Sequence, residues 1–423
     1  MTREGTERSD EMRRVNANGS ASQLRLVTLA AAALVMLGTV ASARAAESDY
    51  VAGYVVLPKV VVHTTGGTPA VLAGGQAVDT LIQITNTNQT DAINVDCWWV
   101  NANSHCGTDT GPICNSNADC SPGLQCVPGW AVLDFTMTLT PGQPIGFGAA
   151  SGLGNLPCDP IFPGPGCTGN SSGNIRPVPE DPFRGELKCV QVDDNDNPVE
   201  ANDLKVEATI ISTTVGVGGS TTAATYNGIG FEATATAAGD GPLCLGSLPP
   251  GSPAGSVCTG TYAPCPNILH MEHPFDTPTL STELVLVPCS EDLGEPSNSA
   301  DFSVTAQMLV YNEFEQRFST SSRVQCYQST RLSDIDTRPG TADDAFSVFS
   351  AGVQGTAVGQ TRIRGVRGPD GRLGYGLIGV GCSSYGPAGS APLATTAFNL
   401  QNAGGFREEG DAVYYTDFPN QGP

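Results

Sequence analysis

Residues 131–139 read Ala-Val-Leu-Asp-Phe-Thr-Met-Thr-Leu. Ala131, Leu133, Phe135, Met137 and Leu139 fall on one side of an extended chain, and Asp134, Thr136 and Thr138 on the other. A period of two means a strand with one buried face, because successive side chains of extended backbone point to opposite faces. The same alternation recurs in Ile93, Val95, Cys97 and Trp99, in Leu204, Val206, Ala208 and Ile210, and in Phe302, Val304, Ala306, Met308 and Val310. No window after residue 45 repeats its apolar residues every 3.6 positions. Gly (51) and Pro (31) separate the alternating stretches, as at Pro141-Gly142, and both are poor helix formers. The chain therefore reads as all-β, with antiparallel sheets packed as sandwiches.

Charge and export narrow the function classes. Asp and Glu number 42 against 20 Lys and Arg, and the only lysines are Lys59, Lys188 and Lys205. A net charge of −22 excludes the basic footprint of a nucleic-acid binder. An apolar content of 39% is too high for an acidic disordered chain. Leu26 to Val40 is an apolar run of 15 residues. That is short of the about 20 a membrane helix needs. Arg13, Arg14 and Arg25 precede it and Ala43-Arg44-Ala45 follows, the pattern of a signal peptide spanning 1–45. No membrane span is expected after cleavage, and the expected location is secreted or cell surface, with periplasm as the other exported site.

All 14 cysteines follow that segment. An even number in an exported chain reads as disulfides. The candidates are Cys97, Cys106, Cys114, Cys120, Cys126, Cys158, Cys167, Cys189, Cys244, Cys258, Cys265, Cys289, Cys326 and Cys382. Five of them lie between Cys97 and Cys126, and three between Cys244 and Cys265. Odd clusters cannot be closed internally, so at least one bridge must leave its cluster. The expected domains are an N-terminal sandwich over 46–155 with a cysteine-rich insert at 103–130, a Pro/Gly-rich linker at 156–182, and a C-terminal sandwich over 183–423 with a Pro/Cys-rich loop at 241–280. A hint of duplication links the two: Leu81–Asn86 leading to Asn94–Trp99, and Met308–Asn312 leading to Arg323–Tyr327.

The segment Cys114-Asn-Ser-Asn-Ala-Asp-Cys120-Ser-Pro-Gly-Leu-Gln-Cys126 has the spacing C-x5-C-x2-G-x2-C. It resembles short cysteine-rich inserts of exported bacterial surface proteins and part of the Dickkopf-type cysteine-rich modules. The resemblance implies a disulfide-tied excursion between strands and no particular activity. The flanking strands resemble the Asn-Thr-rich edges of immunoglobulin-like bacterial domains. The expectation is thus an all-β chain of antiparallel immunoglobulin-like sandwich domains with long disulfide-stapled loops.

Asp193-Asp-Asn195-Asp-Asn197-Pro198 places oxygen ligands in the pattern Ca²⁺ favours. The string resembles the calcium-binding inter-repeat motif of cadherins, which implies Asp193, Asn195, Asp196 and Asn197 as ligands. The competing reading is a polar hairpin between two strands, since Asp and Asn favour turns. Asp334, Asp336, Asp343 and Asp344 form a second acidic loop. Apart from Ca²⁺, no cofactor is expected.

Other motifs carry less. Gly169-Asn-Ser171-Ser-Gly173 matches G-x-S-x-G without the strand and helix a nucleophile elbow needs. Gly374 to Gly379 matches G-x-G-x-x-G but continues as a strand. His270 and His273 share a face on a helix and oppose each other on a strand, where they read as polar loop residues rather than zinc ligands. Arg362, Arg364, Arg367 and Arg372 form a basic patch, suited to internal salt bridges or to an anionic surface polysaccharide. Trp99 joins an apolar face, while Trp98 is free to stack on a sugar ring or cover the insert.

The leading expectation is a non-enzymatic exported surface, matrix or adhesive protein. A secreted hydrolase and a Ca²⁺-dependent carbohydrate-binding module are the alternatives. The expected partners are surface polysaccharide or other surface proteins.

Overall fold

The computed structural model describes residues 47–48, 50–64, 76–153 except 109, 128 and 130, 175–214, 221–233, 262–288 except 264 and 267, 303–335, 347–367, 376–386 and 394–402. The expected signal segment, Cys158, Cys167, Cys244, Cys258, Cys289 and the G-x-S-x-G match lie outside them. The described chain is nearly all strand. Its longest α-helical element is the four-residue turn Ala351–Gln354.

Five antiparallel sheets account for the strands. Sheet I runs in the order β1 (Glu47–Ser48), β13 (Ile229–Phe231), β2 (Tyr54–Val62), β10 (Phe183–Val192), β4 (Ile93–Asn101), β8 (Ala131–Leu139). Sheet II is β12 (Thr221–Asn227), β11 (Leu204–Thr214), β3 (Gln76–Asn86), β9 (Pro144–Gly148). Sheet III is β18 (Gln328–Arg331), β15 (Leu280–Pro288), β20 (Leu377–Tyr385), β21 (Ala394–Asn399). Sheet IV is β17 (Arg317–Gln325), β16 (Ser303–Asn312), β19 (Val358–Arg367), β14 (Ile268–Pro274), β22 (Gln401–Asn402). The cysteine-rich insert is a separate small sheet, β6 (Ile113–Cys114), β5 (Ser104–Cys106), β7 (Cys126–Val127).

Sheets I and II close on one apolar core. Trp99 of β4 is fully buried, and its ring contacts Phe135 of β8, Phe147 of β9 and Phe183 of β10. The predicted faces appear as read: Phe135, Met137 and Leu139 are buried while Asp134, Thr136 and Thr138 are exposed. Leu204, Val206 and Ala208 are buried likewise. Sheets III and IV share a second core, where Leu284 and Leu286 meet Met271, Val304, Met308 and Ile363. Strand β15 joins the cores. Its Val285 and Val287 point into the first and its Leu284 and Leu286 into the second. Burial on both faces explains the unbroken run Leu-Val-Leu-Val, as in any strand covered on both sides. Two strand glycines let sheet III pack closely: a Cβ at Gly379 or Gly381 would press into the Val285 carbonyl or the Phe398 ring.

The expected domain boundary is corrected. Of the strands expected in the C-terminal sandwich, β10, β11 and β13 pair with β2, β3 and β4, and β12 pairs with β11. The change of sheet pair falls between Phe231 and Ile268, not at 156–182. The end of that supposed linker is anchored on the first core, where Trp99 Nε1 donates to the Arg176 carbonyl at 2.9 Å and Val178 N–H donates to that of Ala149. The expected loop 241–280 likewise contains a full strand, β14.

The apparent duplication is also corrected. β16 and β17 form a hairpin, with Asn312 Oδ1 accepting the N–H groups of Phe314 and Gln316. β3 and β4 lie in different sheets. Asn86 steers that crossing by donating its amide to the carbonyls of Asp91, Leu139 and Thr140.

Disulfides follow the parity argument. Cys97 leaves its cluster to bridge Cys189, directly opposite it on β10, while Cys106–Cys120 and Cys114–Cys126 close the insert. Cys265 is also disulfide-bonded. Cys382, expected in a bridge, is instead a buried thiol. Burial pushes its pKa up, and the Lys59 and Glu283 charges act on it in opposite directions.

Candidate functional site at the charged face of sheet I

The face of sheet I turned away from sheet II is charged. Strand β10 reads Phe-Arg-Gly-Glu-Leu-Lys-Cys, so Arg184, Glu186 and Lys188 alternate with residues of the apolar face. Register then carries this face across the sheet. Lys188 lies opposite Trp98 and Trp98 opposite Asp134, while Val190 lies opposite Asp96. Sheet III covers one end of the face and leaves the other open. Glu186 is fully buried and Lys188 nearly so, Asp96 and Trp98 are half-buried, and Asp134 is exposed.

Lys59 reaches the covered end through a bulge. Pro58 has no N–H to offer the ladder, and the pairing of β2 with β10 shifts between Gly185 and Leu187, opposite Pro58 and Lys59. The freed backbone N–H and carbonyl of Lys59 bond to the Tyr226 hydroxyl. Its side chain, only 6% exposed, places Nζ 2.5 Å from Glu283 Oε2 on β15. Glu283 also accepts from the Ser329 hydroxyl. Burial alone would lower the Lys59 pKa, but the Glu283 carboxylate, Cys382 and Tyr327 together outweigh it and hold the ammonium above its ordinary range. For Glu283 burial raises the pKa, and Lys59 and the Ser329 hydroxyl reverse that to a net lowering. Nearby, Glu186 is paired with Lys188 Nζ at 3.3 Å, and burial raises the Glu186 pKa despite the lysine. The Tyr327 hydroxyl is raised by burial, and its field comes from Lys59, Glu283, Arg184 and Glu186 together.

At the open end, Asp96 is pushed up to about 6, first by burial and then by the Asp196 and Asp134 carboxylates. Asp196 comes from the hairpin proposed above for Ca²⁺. In that hairpin Asp193 Oδ1 accepts the backbone N–H of Asn195 at 2.8 Å and of Asn197 at 3.0 Å, and these bonds lower its pKa. Asp196 takes a positive φ of 61°, which a short polar side chain tolerates. Asp194 accepts from Asn94 Nδ2 at 3.0 Å. Asp193 is thus the organiser of the turn, and Asp196 acts on Asp96 through its charge. Among the described residues, the group of three His, Cys, Asp or Glu ligand atoms within 4.8 Å of one another is Cys106, Cys114 and Cys120. Those sulfurs are oxidised in the two stacked disulfides and offer no thiolate.

Two histidine clusters serve cohesion. His105, Asn101 and Asn103 all bond the Glu180 carboxylate, His105 Nε2 at 3.0 Å, tying the insert to the segment after Ile175. On β14, His270 is half-exposed and His273 is buried, on opposite faces as a strand requires. His273 Nδ1 donates to the Pro274 carbonyl and Nε2 accepts from the Thr361 hydroxyl at 2.8 Å, with Phe275 and Phe349 against the ring. Burial lowers its pKa to about 4. A base whose folded pKa falls below its unfolded value stabilises the fold above the unfolded pKa of about 6.5. The contribution is lost as pH falls toward 4, and amounts to about 3 kcal/mol. His273→Gln is therefore expected to flatten the stability difference between pH 6.5 and 4 relative to the parent, measured by urea unfolding at each pH. Equal slopes would show that the imidazole is not held neutral.

The Gly374–Gly379 match ends in β20, a strand rather than a dinucleotide turn. Asp334 sits in a short 3₁₀ turn, and Asp336, Asp343 and Asp344 lie outside the described residues. The charged face of sheet I has a sequence signal in the alternation Arg184, Glu186, Lys188, which becomes legible only once β10 lies between β2 and β4.

No model of a known protein family matches this chain, and no curated protein matches its sequence. No helix of the described residues is long and apolar enough to cross a membrane.

Proposed function

We propose that this chain is a non-enzymatic exported protein of a surface or extracellular matrix, secreted or held at the cell surface. The observation that carries this reading is the use made of its perturbed groups. Lys59 with Glu283 binds sheet to sheet, His273 with Thr361 binds strand to strand, and Glu186 with Lys188 pairs inside β10 beneath the cover of sheet III. Four sheets and a disulfide-tied insert so joined suit a protein whose task is to persist and present surfaces. The disulfides fit an oxidising compartment. Fractionation of the native host tests this: recovery in the medium or an insoluble surface layer is expected, and recovery in the cytosol overturns it.

A secreted glycan hydrolase is the second reading, favoured by Asp96. A carboxyl titrating near pH 6, beside Asp134 and the half-exposed ring of Trp98, is the type of group that donates a proton to a glycosidic oxygen. Polysaccharide cleavage that vanishes in Asp96→Asn would establish it. The same variant carries a stability prediction. The folded pKa of Asp96 is raised, so its penalty grows as pH rises from about 4 through 6 and is full at pH 7. Asp96→Asn is expected to stabilise the fold at pH 7 by on the order of 1 kcal/mol after solvent screening, and not at pH 4. Ca²⁺ bound through Asp193, Asn195, Asp196 and Asn197 would instead make this face a calcium-dependent carbohydrate module. An unchanged melting temperature in millimolar Ca²⁺ would remove that version.

A further inference from the structure

The outer face of sheet IV concentrates arginine in an acidic protein. Its core-facing residues are Val304, Ala306, Met308 and Val310 on β16 and Ile363 on β19, all buried. Period two therefore turns Thr305, Gln307, Leu309 and Tyr311 outward. Register places Arg317 beside Tyr311 and Arg323 beside Thr305 on the edge strand β17. On the other flank, Arg362 lies beside Leu309 and Arg364 beside Gln307. Four arginines from two strands thus frame one central strand. The sequence patch supplied two of these, Arg362 and Arg364. The side chain of Arg367 and all of Arg372 lie outside the described residues. Among the described strand positions of this face, Glu272 at the β14 end is the acidic one, and Glu313 and Glu315 sit in the β16–β17 turn.

We infer that this face binds a linear acidic polysaccharide, one carrying carboxylate or sulfate groups, laid along β16 between the two arginine rows. Three features select that occupant. Guanidinium forks pair bidentately with planar carboxylate and with sulfate oxygens. The rows stand about 10 Å apart, two strand spacings, and Arg317 to Arg323 spans about 20 Å along the edge, which suits an extended chain. Between the rows, Thr305, Gln307 and Tyr311 offer hydroxyl, amide and aromatic groups of the kind that contact sugars. The chain as a whole, at a net charge of −22, repels polyanions and so orients them to this face.

This inference deepens the surface-protein reading by naming a partner, yet binding by purified protein and location in the host fail separately. The experiment is affinity electrophoresis of the full mature chain through gels holding polygalacturonate, heparin or neutral dextran. Retardation by polygalacturonate, heparin or both is expected at low salt, weakening as salt rises, with none by dextran. The two polyanions distinguish carboxylate from sulfate recognition. Arg317→Gln with Arg323→Gln is expected to weaken binding at least tenfold with an unchanged melting temperature. Arg317→Gln alone, at an exposed edge position, serves if the pair perturbs folding. No retardation by either polyanion, equal retardation by dextran, or binding indifferent to the arginine changes overturns the inference. So does arginine-dependent self-association without glycan, which would make a second copy the occupant.

Discussion

Glu283→Gln is expected to destabilise the folded chain by about 3 kcal/mol, the low end of the loss seen when one partner of a buried ion pair is removed, because Glu283 itself keeps 25% of its side chain exposed. The magnitude follows from what stays behind. Lys59 is 6% exposed, fixed by the Pro58 bulge and by the Tyr226 hydroxyl at its backbone, and cannot swing to water without disrupting β2. Its ammonium would remain buried with its main counter-charge gone. The double replacement Lys59→Met with Glu283→Leu is expected to recover most of that loss, because no charge is then left to desolvate. Urea unfolding of the parent, the single and the double variant measures both. If the single variant lies within about 1 kcal/mol of the parent, Lys59 reaches solvent and the junction is not held by this pair. The pair joins residues 224 apart in sequence, so its loss is also expected to separate unfolding of sheets I and II from that of III and IV.

Removal of the Cys97–Cys189 bridge has the second large effect. It closes a loop with a sequence separation of 92, and the chain-entropy account assigns such a closure about 4–5 kcal/mol. The insert bridge Cys106–Cys120, with a separation of 14, is worth about 3 kcal/mol on the same account. The ordering is expected to be sharper than these figures suggest. Cys97 and Cys189 are fully buried on the apolar face of sheet I, so Cys97→Ala with Cys189→Ala also removes packing. The insert sulfurs tie a small separate sheet, which is expected to open locally without unfolding sheets I and II. Chemical denaturation of the two double-alanine variants checks this. A Cys97/Cys189 variant no less stable than the Cys106/Cys120 variant would show that register alone holds β4 to β10.

Much of the strand content was legible because it is written in period two. Val95, Cys97 and Trp99, or Val304, Ala306 and Met308, announce a buried face whatever they pack against. Turn chemistry was legible for the same local reason, as at Pro141-Gly142, where Gly142 takes a φ of 64°. The hairpin at 193–197 shows the limit of local reading. Alternating Asp and Asn are equally good calcium ligands and turn formers, and only the bonds from Asn195 and Asn197 to Asp193 show which use the backbone makes of that carboxylate. His273 was readable as opposite to His270 on a strand, but not as a core residue bonded to Thr361, 88 positions away.

By itself the sequence determined the all-β class, the faces of its strands, the exclusion of a basic nucleic-acid footprint, and the need for one disulfide to leave its cluster. These depend on the alternation of adjacent residues, on composition and on counting, all of which survive without knowing any partner. Tertiary structure alone decided which strands share a sheet, and with that the meaning of the charges. Strand pairing carries little sequence signature, since any alternating strand satisfies any neighbour, so β10 to β13 were assigned to the wrong half. Once β10 lies between β2 and β4, Lys59, Glu186 and Lys188 become a buried seam against sheet III. Once β16 lies between β17 and β19, four arginines separated along the chain become one face.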